Sequence, residues 1–471
     1  MAAILMVPCR ARKLFSPCSC GRVPYTRLMT YGKLPKPSGW SVLNALKASS
    51  NPEQFFARCQ LQGDPFCVEL PGVGPIYMSG SPDAAKQLFS ARPEVFEPVS
   101  PNPIEPMLGP GSLILLGRER HKRERKLLTP PFMGERMRAY GDWVSHITMD
   151  EIRKLEVGQT VDVVELTQQI TLKVIVRAIF GVSNELRQAA YSDAITAFTE
   201  GYSPALLVLP FLRRDLGGMS PWKKFRQAAE RFDALLEEDL QDRLNNPELL
   251  GEDILSLLIG LRYDDGSSMS SQDMKDELRT MLVAGHETTA TGLAWCLYYL
   301  HRDPEKLLAP LLGELEEVGR APADYQKASY LGAVCQEGLR RHPVVPIVLR
   351  RTLVPFEFCG YEIEPGTALG IAMTLLHTSE DTFDTPLEFN PRQFLEKKYT
   401  PFQYAPYGGG ARRCLGAAFA SYEMRIVLGT LLQSLRFDSA QTVPPLPITR
   451  SITMAPDREI LLRVAKKLPL D

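Results

Sequence analysis

Ten residues near the C-terminus, Tyr407 to Gly416, read YGGGARRCLG: one cysteine among four glycines and two arginines. A sulfur placed this way has three possible uses. It can be an inert packed thiol, the ordinary fate of a lone cysteine. It can be a nucleophile activated by a histidine base, or a thiolate ligand to a metal. The flanking residues bear on the choice. The glycines at 408, 409 and 410 let the backbone fold tightly, with φ > 0 available, and approach a flat ligand. The following stretch, LGAAFASYEMRIVLGTLL (415–432), reads as a helix. That puts Cys414 at a helix N-terminus, where free N–H groups and the dipole favour a thiolate and lower its pKa. Arg412 adds positive charge or binds an acidic group on a cofactor.

Three further stretches carry groups that could do chemistry. LVAGHETTATGLAW (282–295) sets Gly285, Glu287 and the pair Thr288-Thr289 in an apolar helical run. A glycine there costs about 1 kcal/mol against alanine. A buried carboxylate must shift its pKa or find a partner, unless the polar residues simply form a solvated face. EGLR (337–340) places Glu337 and Arg340 at i, i+3 on one helix, a pair worth only ~0.2–0.5 kcal/mol at a surface. GRERHKRERKLLTPPF (117–132) holds His121 and Arg125 at i, i+4, and VLRRTLVPFEFCG (348–360) offers Arg350 or Arg351. Taken singly, each arginine is by default a solvated charge.

The spacing of Tyr407, Gly410, Arg412, Cys414 and Gly416 resembles the haem-binding loop of the cytochrome P450 family, with Tyr407 where the family usually has Phe. AGHETT resembles the family's oxygen-activating helix segment. EGLR followed by RHPVVP resembles its buried ExxR core, and GRERHKRERK its propionate-binding helix, with His121 in place of the more frequent Trp. The four motifs stand in the family's order over residues 34 to 471. The resemblance implies that the Cys414 thiolate is the proximal iron ligand, pushing electron density onto iron and assisting O–O cleavage. It implies that Gly285 lets dioxygen sit against the helix, that Thr288 hydrogen-bonds the bound dioxygen and that Glu287 relays protons. It assigns His121, Arg125, Arg350 and Arg412 to the carboxylates of haem b (iron protoporphyrin IX). The family closes the ExxR network with an arginine from a PERF-like segment. Here FNPRQF (389–394) puts Gln393 in that place and Arg392 one residue early, leaving two candidates for the role.

These residues need elements to hold them. The apolar content of 44% and charged content of 23% suit a globular chain with a sizeable core. Its 471 residues suggest about three domains at ~150 residues each; the resemblance implies one. Residues 271 to about 302 read as one long helix stopped at Asp303-Pro304. Another runs to about Arg341 and stops before Pro343, and TLKVIVRAIFG (171–181) ends at a glycine suited to a C-cap. VEL-PG-VGPIYMSG (68–80) reads as two strands around a turn; other short strands come late. The expected fold is therefore mainly α with small β-sheets, a cytochrome P450 fold in a single large domain. LPKPSGW (34–40) reads as an opening loop, and the proline-rich EPVSPNPIEPMLGPG (97–111) as a long loop of the lid type. No internal repeat, GxGxxG or GxxxxGK[ST] is present.

The net charge of −1 gives no ground for nucleic-acid binding, and no apolar run is long enough to span a membrane. Nine scattered cysteines without CxxC spacing do not form a disulfide framework and fit a reducing setting. Residues 1–33 carry Arg10, Arg12, Lys13, Arg22, Arg27 and Lys33 and no acid. They read as a disordered basic extension, with Met29 an alternative start; a transit peptide to an organelle is the other reading of a protein otherwise placed in the cytoplasm. The resemblance implies monooxygenation of an apolar small molecule, a fatty acid or terpenoid, by a monomer using O2. The electrons would come from a separate ferredoxin and ferredoxin reductase, docked on Arg123, Lys126 and Arg413. The pocket is expected from the lid, SPALLVLPFL (203–212), Val344, Ile347 and Val348. A haem-thiolate isomerase or dehydratase, or a haem-binding sensor without turnover, are the other classes.

Overall fold

The long apolar run does form one helix, Ser271–Arg302, and the rest of the molecule is arranged around it. The Ser270 side chain caps its start by accepting from the Asp273 N–H, and Asp303-Pro304 ends it. In this computed structural model the described residues are 35 and 39–469 except 135, 183, 216–219 and 451. The basic leader and most of the opening loop lie outside them.

Six helices position the site, numbered in chain order: α1 (Pro82–Ser90), α2 (Arg118–Leu128), α3 (Val163–Phe180), α4 (Ser271–Arg302), α5 (Ser329–Arg341) and α6 (Ala417–Ser434). α4 is buried along most of its length, with Leu293, Ala294, Trp295, Cys296 and Leu297 inside the main core. α3 packs along it and stops at Gly181, whose φ of 62° supplies the left-handed turn a C-cap needs. α5 and α6 also pack on α4.

The strands are β1 (Phe66–Leu70), β2 (Gly74–Ser79), β3 (Phe96–Glu97), β4 (Thr160–Asp162), β5 (Ile347–Thr352), β6 (Phe356–Phe358), β7 (Tyr361–Ile363), β8 (Ala368–Ala372), β9 (Leu435–Ser439), β10 (Pro447–Arg450), β11 (Thr453–Pro456) and β12 (Leu461–Lys467). They make a five-stranded sheet in the order β1-β2-β8-β5-β3, a three-stranded sheet β4-β12-β9, and two hairpins, β6-β7 and β10-β11. β8 is buried at every position, and it pairs parallel with β2 and antiparallel with β5. β5 carries Arg350 out of this sheet. The molecule is thus one mainly helical domain with small sheets.

The proline-rich segment is fastened rather than free. It contains a helical turn, Glu105–Leu108, with Met107 and Leu108 buried. Asp276 of α4 accepts the Gly111 N–H at 2.8 Å, and Thr280 donates to Ser112 at 2.7 Å. Tyr202 donates to the Pro103 carbonyl. The segment can act as a pocket wall, but both of its ends are anchored.

Candidate functional site

The cysteine loop is shaped by its glycines, though partly for a reason different from the expected one. Gly408 and Gly410 take φ of 64° and 66°. A Cβ at Gly410 would lie 2.2 Å from the Phe89 carbonyl oxygen at the end of α1, and one at Gly409 would strike the Phe89 ring. These two glycines therefore let the loop lie flush on α1. The loop closes with the Cys414 N–H donating to the Tyr407 carbonyl at 2.9 Å. The Tyr407 hydroxyl, absent from the family's usual Phe, is hydrogen-bonded to Ser421 of α6 at 2.8 Å.

Cys414 does not stand on the first turn of α6. The helix begins at Ala417 with Gly416 as its cap. The cysteine is exposed, yet protein surrounds its sulfur closely enough for burial to govern its titration. Burial pushes its pKa up; the Gly416 N–H, Arg413 and Arg125 oppose this without overcoming it. The expected depression by the helix end is thus corrected: desolvation outweighs it here. The groups whose charge reaches this sulfur are arginines and not a histidine, so the nucleophile reading lacks its base.

Four cationic or imidazole side chains come together from three elements. His121 is 5% exposed on α2; burial and the charges of Arg412, Arg125 and Arg350 push its pKa down to about 4. Arg350 is lowered to about 9 by burial and then by Arg412. Arg412 is lowered to about 10 by burial and then by Arg125, against a small opposing contribution from Glu97. Arg125 is also lowered by burial. Their donors reach only carbonyls: Arg125 that of Arg413 at 2.7 Å, Arg412 that of Leu116, and Arg350 that of Leu349 at 2.8 Å. Among the described residues no carboxylate pairs with any of the four, while Arg118 nearby takes Glu97. Arg351, the alternative to Arg350, is spent on the Gly366 and Ser100 carbonyls. A pocket of crowded, unneutralised cations beside an accessible sulfur fits a dianionic group with a thiolate-seeking metal.

On α4, Thr288 donates to the Ala284 carbonyl at 2.6 Å, the i−4 bond expected of it. Ala284 is exposed among buried and half-buried neighbours on this helix. Gly285 serves packing: its missing Cβ would lie 2.8 Å from Ile175 of α3. Glu287 is half-buried, and Thr453 donates to it at 3.3 Å. No sequence signal joined those two residues.

The core network resolves the open choice between Gln393 and Arg392. Glu337 and Arg340 are both 0% exposed and meet in a two-pronged pair at 2.7 Å. Arg340 also donates to the His377, Pro386 and Glu388 carbonyls. Gln393 donates to Glu337 at 2.8 Å and accepts from Tyr399 at 3.0 Å. Arg392 is exposed and lies over the Tyr330 ring. Gln393 closes the network, and the buried charges cancel as one acid and one base.

The expected docking cations fare unequally. Arg123 pairs with Asp265 at 3.4 Å and covers Tyr263, and Lys126 pairs with Asp264 at 2.8 Å. Arg413 is exposed beside the Tyr407 ring, and among the described residues no acid pairs with it.

Residues 34–463 match the family model described as Cytochrome P450. The chain is 32% identical over 414 residues to the putative cytochrome P450 135B1 of Mycobacterium tuberculosis, covering 87% of each. It is 32% identical over 400 residues to the putative cytochrome P450 138 of that organism, covering 84% of this chain and 87% of the relative. Its fold matches the retinoic acid-bound cyanobacterial CYP120A1 with a TM-score of 0.82 and 24% identity, over 93% of this chain and 100% of the other.

Proposed function

The chain belongs to the cytochrome P450 family, a haem-thiolate monooxygenase that binds haem b through a cysteine thiolate, and from that membership we propose that it hydroxylates a fatty acid or terpenoid with electrons drawn from a ferredoxin and its reductase. The cysteine is Cys414. The observation that carries this assignment is the accessible sulfur beside three arginines and the imidazole of His121, none of which pairs with a carboxylate among the described residues. When bound, the haem supplies the activation of dioxygen, one atom of which enters the substrate while the other leaves as water.

The chain's own residues supply the rest. Cys414 would supply the thiolate ligand to the haem iron. Arg350, Arg412, His121 and Arg125 would hold its two carboxylates. Thr288 holds its hydroxyl by bonding back to Ala284. Glu287 brings protons to the site and Thr288 passes them on. Val344, Ile347, Val348 and the anchored lid exclude water and receive an apolar substrate. The fold's likeness to a retinoic acid complex is in keeping with an isoprenoid or fatty-acid guest.

An acidic ferredoxin would dock on the face carrying Arg413, the one of the three expected cations without a partner acid among the described residues. Arg413→Glu should slow first-electron transfer several-fold, and Lys126→Glu much less; equal rates in all three proteins would remove this docking face. A cytoplasmic setting agrees with six free thiols among the described residues, none of whose helices is long and apolar enough to cross a membrane.

An isomerase or dehydratase would have no use for Glu287 and Thr288, which favours monooxygenation. The test is the absorption spectrum of the reduced, carbon-monoxide-bound protein, followed by turnover on a lipid panel. The thiolate-shifted Soret band should vanish in Cys414→Ser. Its persistence would overturn the Cys414 assignment; a normal band without oxygenated product would favour the sensor reading.

A further inference from the structure

Glu287 sits in an unusual setting for a group that must move protons. Among the described residues no cation pairs with it, and His286 is a titratable neighbour whose own titration it biases. Its hydrogen bond comes from Thr453, which lies 166 residues away and opens β11. Thr453 is 4% exposed. Its hydroxyl is 3.3 Å from Glu287 Oε1 and 3.0 Å from the Arg450 carbonyl, its partner across the β10-β11 hairpin. The next residue, Met454, donates its N–H to the Val344 carbonyl at 2.6 Å. The hairpin end thus joins the acid to Val344, which the proposed function gives to the substrate pocket.

A hydroxyl has one proton to give and lone pairs to receive. When Glu287 is ionised, Thr453 donates to it. When Glu287 is protonated, it donates to the Thr453 oxygen, and the Thr453 proton turns to the Arg450 carbonyl. Either state therefore finds a partner in the same side-chain orientation. A lysine or arginine here would favour the ionised form alone, and a valine would serve neither. The alternative is that Thr453 only pins the hairpin through Arg450 and touches the acid incidentally.

We propose that Thr453 is a positioning residue of the proton relay, holding the Glu287 carboxyl in one orientation through both of its protonation states. The proposal rests on the reading of Glu287 as a proton donor, and the test separates the two. The haem-loaded full chain is compared with Thr453→Val, Thr453→Ser and Glu287→Gln. The Glu287 titration is followed by infrared difference spectroscopy, its band assigned by its loss in Glu287→Gln. Thr453→Val removes a partner from both states, but the bond to the ionised carboxylate is the stronger, so the midpoint should rise by roughly half to one pH unit, and Thr453→Ser should restore it. The share of electrons released as hydrogen peroxide should rise and kcat fall roughly tenfold at unchanged KM, less than the ~10²–10⁴ a general acid itself contributes. A midpoint that does not move in Thr453→Val overturns the proposal, even if Glu287→Gln uncouples the enzyme. If the midpoint moves and Glu287→Gln stays fully coupled, the contact stands but the relay does not, and the reading of Glu287 has failed.

Discussion

Two clusters of charge lie inside this molecule, and they are built on opposite plans. Around Glu337 and Arg340 every donor and acceptor is matched: one acid, one base, three carbonyls and the amide of Gln393. Around His121 the guanidinium groups of Arg125, Arg350 and Arg412 crowd a neutral imidazole, and burial first, then the neighbouring arginines, lowers all four pKa values. A closed network is complete without a ligand and serves the fold. An open one is stable only with an anion present and serves binding. Pairing separates structural charge from functional charge: Glu337 and Arg340 meet in a two-pronged ion pair, while among the described residues no acid pairs with Arg125, Arg350 or Arg412.

The largest effect should come from breaking the closed network. Arg340→Leu leaves the Glu337 carboxylate buried without its base, and burial already pulls its pKa upward. The expected loss is about 3–5 kcal/mol, read as a sharp fall in melting temperature with and without haem. An unchanged melting temperature would mean the two clusters are not different in kind. Gln393→Leu removes one donor to that carboxylate and should cost about 1–3 kcal/mol. Arg392→Ala, which removes an exposed cation near Tyr330, should stay within about 0.5 kcal/mol.

Much of this contrast could be read in the sequence, and the reason is spacing. Glu337 and Arg340 are one helical turn apart, Cys414 sits in a loop of fixed pattern, and His121 and Arg125 share a helix face, so local geometry fixes each pair. The long helix and the helix ending at Arg341 were legible for the same cause. What failed to show were contacts set by the path of the chain. Gln393 wins over Arg392 because of how residues 389–394 turn into the core. Lys126 meets an acid because Asp264 folds back from 138 residues away. The upward push of burial on Cys414 was not legible because a sequence shows a helix end but not the protein packed around it.

The open cluster should respond to acid through His121. His121 has a folded-state pKa of about 4 against an ordinary value of 6.5. A base whose pKa is depressed on folding contributes stability above 6.5 and loses it as pH falls toward 4, because the unfolded chain binds the proton first. Haem-free protein should therefore lose up to roughly 3 kcal/mol over that window on account of His121. His121→Phe should flatten the loss, read from denaturant midpoints at pH 7 and pH 4.5. With haem bound its carboxylates face the imidazole, its pKa rises, and the loss should shrink. An equal loss in both forms would place the carboxylates elsewhere.

A small effect is also the most discriminating. Arg350→Gln removes a cation that the haem-free protein holds at a disadvantage, since its pKa is lowered to about 9 by burial and by Arg412. Below pH 9 that charge works against the fold, so its loss should leave haem-free stability unchanged or raise it by up to about 1 kcal/mol. In the haem-bound protein the same charge meets a carboxylate, and its loss should weaken haem retention roughly tenfold, as one charge-assisted bond is worth about 1.5–3 kcal/mol. Opposite signs in the two forms are possible only if Arg350 waits for an anion that the chain does not provide. Destabilisation of both forms alike would make Arg350 a second structural arginine, and the distinction between the two clusters would be lost.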